Sequence, residues 1–228
     1  EWTLNHDDSL NFHDCTGLAR REGERLLRVI NAGGTPYFGA AVGHTIELMQ
    51  ESYEPTGWKG RIVALDYGSI TVDRPLPKQS GCLFVVYDRE YSTDNLLFRN
   101  CRFHDAPWAR NLILSNNVTF DGCRFESFAG SPLRFQTCYT PNVWCEGMGA
   151  TNLVVRNCLF EDTCVSNPKD PCISAVCVTP TDWDVGEVDK GFVCGGLLVE
   201  GCRFVNPGGY VLDLPCGRNV VWRNNVVE

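Results

Sequence analysis

Asn95-Leu-Leu-Phe-Arg-Asn-Cys-Arg-Phe103 returns along the chain as Asn117-Val-Thr-Phe-Asp-Gly-Cys-Arg-Phe125, Asn152-Leu-Val-Val-Arg-Asn-Cys-Leu-Phe160, Gly196-Leu-Leu-Val-Glu-Gly-Cys-Arg-Phe204 and Asn219-Val-Val-Trp-Arg-Asn-Asn-Val-Val227. The place held by Cys101, Cys123, Cys158, Cys202 and Asn225 advances by 22, 35, 44 and 23 residues. A unit of about 22 residues, lengthened by insertions, is the signature of a solenoid. Apolar and polar residues alternate within each unit, as Leu97, Arg99 and Cys101 do against Phe98, Asn100 and Arg102, and a period of two belongs to a strand. A second apolar run follows each motif, at 111–114, 132–135, 172–177 and 209–214, so each circuit carries at least two short strands. Asn100, Gly122, Asn157, Gly201 and Asn224 precede the Cys place, where Asn and Gly tolerate a left-handed bend.

These features predict an all-β chain, a right-handed parallel β-helix. A chain returning to its start every circuit supplies the crossovers of a parallel sheet without helices, and the L-x-x-L-x-L-x-x-N spacing of leucine-rich repeats is absent. Residues 20–92 break the pattern. Short runs at 26–31, 45–50, 60–66, 69–72 and 82–87, with turns at Gly33-Gly34 and Pro75-Leu-Pro77, read as a small antiparallel barrel inserted into the solenoid. The expected division is a first coil at 1–19, the barrel at 20–92 and further coils at 93–228. Neither end shows the polar cap a stacked repeat needs, so the chain is expected to be a piece of a longer protein.

Composition narrows the function. The 228 residues are 43% hydrophobic and 21% charged, enough to bury a substantial core. A net charge of -8 argues against nucleic acid, whose phosphates need a basic surface. No apolar run reaches the roughly 18 residues that span a bilayer, and no leader opens the chain. The 13 cysteines include no C-x-x-C, which argues against structural zinc. Those in the repeat read as small buried hydrophobes. Cys138 with Cys145, and Cys164 with Cys172, flank short loops and are disulfide candidates in an oxidising compartment. Phe103, Phe125, Phe160 and Phe204 read as a stacked core column. His44 and His104 read as ordinary polar residues, the sequon Asn117-Val-Thr119 as silent, and Asp184, Glu187 and Asp189 as a solvated loop.

His6-Asp-Asp-Ser-Leu-Asn-Phe-His-Asp14 gathers ionisable groups beside an apolar alternation. Adjacent carboxylates usually mark no more than a solvated turn; the functional reading is acid and base catalysis, since such neighbours shift each other's titration and one can hold a proton while the other stays ionised. Diverging strand side chains also allow the separation of about 6.5–9.5 Å that an inverting glycosidase uses to admit water. The stretch resembles the Asp-Asp-Ala-Thr-Asn-Val-His-Gly motif of family-110 glycoside hydrolases, bacterial α-1,3-galactosidases. The likeness continues through Ile70-Thr-Val-Asp-Arg-Pro-Leu-Pro77, through residues 100–125 against an NC-x-x-x-x-x-x-RARG-I-L stretch, and through Val143-Trp-Cys-Glu-Gly147 against Asn-Tyr-Trp-x-Glu-Ser. It departs at Asp14 and Asn111, where the motifs carry Gly.

The resemblance implies Asp7 as general acid and Asp8 as part of the base, with His13, Arg110, Trp144 and Glu146 as substrate-binding residues. It implies a glycan with terminal galactose as substrate, no metal or organic cofactor, and a secreted or periplasmic protein. Polygalacturonases also use an Asp pair, but their downstream Gly-His-Gly and Arg-Ile-Lys partners are not found. A lyase would need a calcium cluster and a basic residue, and Lys is sparse. A non-catalytic glycan-binding solenoid is the remaining alternative.

Overall fold

The structure, a computed structural model, describes residues 2–3, 9–14, 16–30, 39–78, 83–107, 111–140, 144–147, 149–166, 169–178 and 194–228. The side chains of Trp2, Trp144 and residues 138–140 and 176–178 lie outside the description. The chain is all-β, built from three sheets of parallel strands and a closed barrel, and no α-helix occurs among the described residues.

The chain visits the three sheets in rotation. Trp2–Thr3, Arg102–Ala106, Arg124–Phe128, Leu159–Thr163, Arg203–Val205 and Val226–Val227 lie side by side in the first. Leu10–His13, Asn111–Leu114, Leu133–Thr140, Ile173–Val178 and Leu212–Asp213 form the second, and Trp144–Glu146 pairs antiparallel with the end of Leu133–Thr140. Leu97–Arg99, Thr119–Asp121, Ala150–Arg156, Cys194–Glu200, Gly217–Arg218 and Val221–Arg223 form the third. The recurring motif is therefore two strands in two sheets and not one. Asn100, Gly122, Asn157, Gly201 and Asn224 break it with φ between 54° and 65°. An ideal Cβ on Gly122 would fall 2.5 Å from Asn100 Oδ1, so a larger residue there would push the Asn100 carboxamide aside.

Pairing in register makes each side chain meet its own copy on the next circuit. Phe103, Phe125, Phe160 and Phe204 stack with ring centroids 5.1, 4.8 and 4.7 Å apart and planes within 16°. Offset stacking of this kind contributes about 0.5–1.5 kcal/mol per pair beyond the burial of area. Cys123, Cys158 and Cys202 are buried thiols that donate to the carbonyls of Phe98, Arg156 and Val155. At the corner before the third sheet, Asn152 donates to Asn117 and Asn117 to Asn95, at 3.0 and 3.3 Å. The amide of the sequon is occupied by that ladder.

The barrel closes in the order Thr16–Arg21, Leu26–Val29, Ser69–Val72, Pro55–Asp66, Thr45–Met49, Leu83–Asp88 and back to Thr16–Arg21. Five of the six strands are read from the sequence. Thr16–Arg21 is not, because its first four residues are all buried and give no alternation. Leu27, Ile46, Leu48, Ile62, Ile70, Phe84 and Val86 fill the interior. On the outside, Leu18, Met49, Tyr53 and Val85 pack with Cys145 and Cys216 of the stack, which seats the barrel against the second and third sheets.

Candidate functional site

Side-chain parity decides which residues of the second sheet look outward. Leu10, Ile113, Leu133, Phe135, Ile173 and Ala175 belong to the core, with Phe12 packed against it. Alternate positions therefore face away. One outward row runs Asn11, Leu112, Arg134, Ser174 and Asp213 across successive strands, about 4.8 Å apart. A second row begins with His13 beside Leu114.

His13 is half-buried, and its Nδ1 lies 3.1 Å from the Asp14 carbonyl oxygen. A carbonyl only accepts, so Nδ1 carries a proton in this contact. Leu114 is fully buried beneath the next segment, since an ideal Cβ on Gly147 would fall 2.5 Å from Leu114 Cβ. Glu146, half-buried, directly precedes Gly147, which covers the leucine that His13 adjoins. Thr16 of the barrel donates its hydroxyl to the Cys145 carbonyl at 2.9 Å. The barrel thus holds the Trp144–Glu146 strand at the edge of this face. Leu10–His13 and the barrel strand Thr16–Arg21, which follows it directly, meet here the Trp144–Glu146 segment from a distant part of the chain.

Of the residues singled out in the sequence, His13 adjoins Leu114 on the paired strand, and Glu146 directly precedes the Gly147 that covers that leucine. Trp144 begins the same short strand as Glu146, and its side chain is outside the described residues. Asp7, Asp8 and Arg110 also lie outside them, immediately before Leu10–His13 and Asn111–Leu114 in the chain. Among the described residues no three His, Cys, Asp or Glu stand close enough to hold a metal ion. No helix among them is long and apolar enough to cross a membrane.

Sequence reasoning missed Arg134 and Gln136. Arg134 Nε donates to Gln136 Oε1 at 2.6 Å, a bond between two residues of the same strand. The alternation Leu133-Arg134-Phe135-Gln136 carried the signal. Asp14 was missed as well. It is wholly buried, and Oδ1 accepts from the Thr93 backbone N–H at 2.8 Å and the Thr93 hydroxyl at 3.0 Å. Thr93 Oγ1 lies 2.6 Å from Ser115 Oγ. These bonds tie the chain entering the barrel to the chain leaving it. Asp14 Oδ2 has no hydrogen-bond partner among the described residues. Burial pushes this carboxyl above its ordinary value and the Asp94 charge adds to that, against the Thr93 bonds and His13. Burial likewise raises Tyr87 to about 12.

No protein-family model matches the chain, and no curated protein is similar to it at a significant level. Among solved structures it is similar to the tailspike protein gp49 from Pseudomonas phage LKA1, at 9% identity and a TM-score of 0.22, over 85% of this chain and 42% of that one. It is also similar to the Pseudomonas phage phi297 tailspike gp61, at 12% identity and a TM-score of 0.21, over 92% of this chain and 32% of that one. The chain spans less than half the length of either, and overlaps of this quality decide neither fold nor function.

Proposed function

We propose that the three-sheet stack is a right-handed parallel β-helix and that the protein is an inverting exo-α-galactosidase, secreted or periplasmic, acting on terminal α-1,3-linked galactose. One observation carries the reading. Leu10–His13 pairs with Asn111–Leu114 and Asn111–Leu114 with Leu133–Thr140, whose end pairs with Trp144–Glu146 beside the barrel, so three segments that bear or directly follow the residues of the galactosidase-like motifs gather within one sheet. Outward side chains on adjacent strands of a solenoid make a groove into which a sugar fits.

In this proposal Asp7 protonates the glycosidic oxygen and Asp8 takes a proton from water, which attacks the anomeric carbon from the opposite face. His13 Nε2 and Glu146 accept hydrogen bonds from sugar hydroxyls. Arg110 and Arg134 donate to them, and Trp144 offers an apolar face to the ring. No metal enters the scheme.

The test uses the full-length protein with 4-nitrophenyl α-galactoside and an α-1,3-linked galactose disaccharide. Asp7→Asn and Asp8→Asn are each expected to lower kcat by about 10²–10⁴-fold, with glycan binding retained in calorimetry and β-galactose as the first product in proton NMR. Unchanged turnover in both variants rejects the assignment. Binding without turnover in the wild type replaces it with a non-catalytic glycan-binding role.

A further inference from the structure

Cys164 and Cys172 bracket the corner at which the chain leaves the first sheet after Leu159–Thr163 and enters the second at Ile173–Val178. Both are fully buried, and their sulfurs are 3.9 Å apart. The corner is held from several sides. Cys172 N–H donates to Tyr210 O and Cys172 O accepts from Leu133 N–H, at 2.8 and 3.1 Å. Gly208 N–H donates to Thr163 O at 2.7 Å, and an ideal Cβ on Gly208 would fall 2.4 Å from Cys164 O. The next circuit therefore presses directly on the corner and keeps the two thiols together.

A second observation comes from the backbone. Cys164 sits at φ 62°, whereas the other left-handed residues of the stack, among those described, are Asn, Asp, Ser or Gly. Those residues either lack a Cβ or hydrogen-bond locally to offset the strain. Cysteine has neither means, and the Cys164 thiol instead reaches the Gly130 carbonyl at 3.5 Å and the Cys172 sulfur. Cys172 Sγ is also 3.2 Å from Thr163 Oγ1. Hydrogen bonds from Cys164 and Thr163 hold the Cys172 thiol below its ordinary value against burial, while the same contact and burial push Cys164 up.

We infer that Cys164 and Cys172 are a disulfide site, closed by exchange with a disulfide oxidant, which staples the corner supporting the Ile173–Val178 strand of the candidate face. In the first step the Cys172 thiolate attacks one sulfur of the oxidant RSSR, forming a mixed disulfide and releasing RS⁻. In the second, Cys164 gives up its proton and attacks the Cys172 sulfur, releasing the other RS⁻. The two thiol protons end on two RSH, and the oxidant has taken two electrons. A disulfide is about 2.0 Å long, so the sulfurs must approach by about 2 Å. Both thiols are buried, so exchange takes place before the corner closes in folding or while it is transiently open.

The test incubates the purified chain with oxidised glutathione or with dithiothreitol, then denatures it, blocks free thiols with iodoacetamide and maps the peptides. The expected result is a peptide pair linked through Cys164 and Cys172 and lighter by two hydrogens, with a thermal midpoint raised by about 5 °C and restored by dithiothreitol. Cys172→Ala removes both changes and Cys123→Ala leaves both. Iodoacetamide on both cysteines after oxidation overturns the inference, as does a link from either one to another cysteine such as Cys177. If Cys172→Ala does not fold, the peptide map of the wild type decides alone.

Discussion

The stack and the barrel bury their apolar residues by different rules. In the stack each side chain meets its own copy one circuit away, so Phe103, Phe125, Phe160 and Phe204 make one continuous column. In the barrel no position repeats. Its closing contact joins Thr16–Arg21 to Leu83–Asp88 across most of the unit. A repeating stack is stabilised by a sum of neighbour-to-neighbour terms and can lose one interface at a time. A closed barrel has no edge from which to fray. The contrast locates the candidate face where the two meet, since a periodic surface supplies rows of side chains and a non-periodic neighbour supplies one wall.

Substitutions can break or sharpen this contrast. The largest effect is expected for Phe125→Ala, at about 3–5 kcal/mol, because its ring packs between Phe103 and Phe160 and touches Phe120 and Phe128. Hydrogen exchange should show protection lost in Arg102–Ala106 and Leu159–Thr163 and kept in the barrel strands. Equal loss in the barrel would mean that the two units unfold as one.

Asp14→Ala cuts the tie between the chain entering the barrel and the chain leaving it and strands the Thr93 backbone N–H, an expected cost of about 1–3 kcal/mol in urea unfolding. The same residue sets a pH dependence. Burial raises its folded-state pKa above the ordinary 3.8, so between 3.8 and that higher value the native chain keeps a proton that the unfolded chain has lost. Stability from this group is full below that window, falls as pH rises through it, and is level above. Asp14→Asn, which still accepts from Thr93, should flatten the urea midpoint across the window. A persistent slope would assign the dependence to another group.

Gly122→Ala and Gly57→Ala compare the two units at a smaller scale. Both glycines have positive φ, 65° and 74°, and an alanine there costs about 1–2 kcal/mol in strain. Only Gly122 also meets a neighbour, Asn100 Oδ1, while Gly57 has open space. The stack variant should therefore lose more in a paired denaturant titration, and equal losses would show that the Asn100 side chain yields freely. The smallest effect belongs to the exposed ladder in which Asp121 accepts from Arg156 at 2.9 Å and faces Arg99 at 3.6 Å. Asp121→Asn should shift the midpoint only at low salt, since screening removes such pairs.

Legibility followed the same divide. The aromatic column and the left-handed corners could be read from aligned repeats, and so could the runs that became the second sheet. The third sheet was hidden because its strands share one motif with the first, split by a bend that alternation alone does not reveal. Thr16–Arg21 was hidden because a strand buried along its first four residues shows no period of two. At the candidate face His13 and Glu146 were named from a motif, whereas Asp14 was read only as a departure from it. Its partner Thr93 lies 79 residues away, with nothing local to announce it.

By itself the sequence determined the periodic part of this protein, because a pattern repeated along the chain must meet its own copy when the circuits stack. Only the tertiary structure decided the closure of the barrel, the Asp14–Thr93 tie, the meeting of His13 with the Glu146 segment and the sulfur contact of Cys164 with Cys172. Each of these depends on where differently built segments come to rest against one another, and a local period carries no record of that.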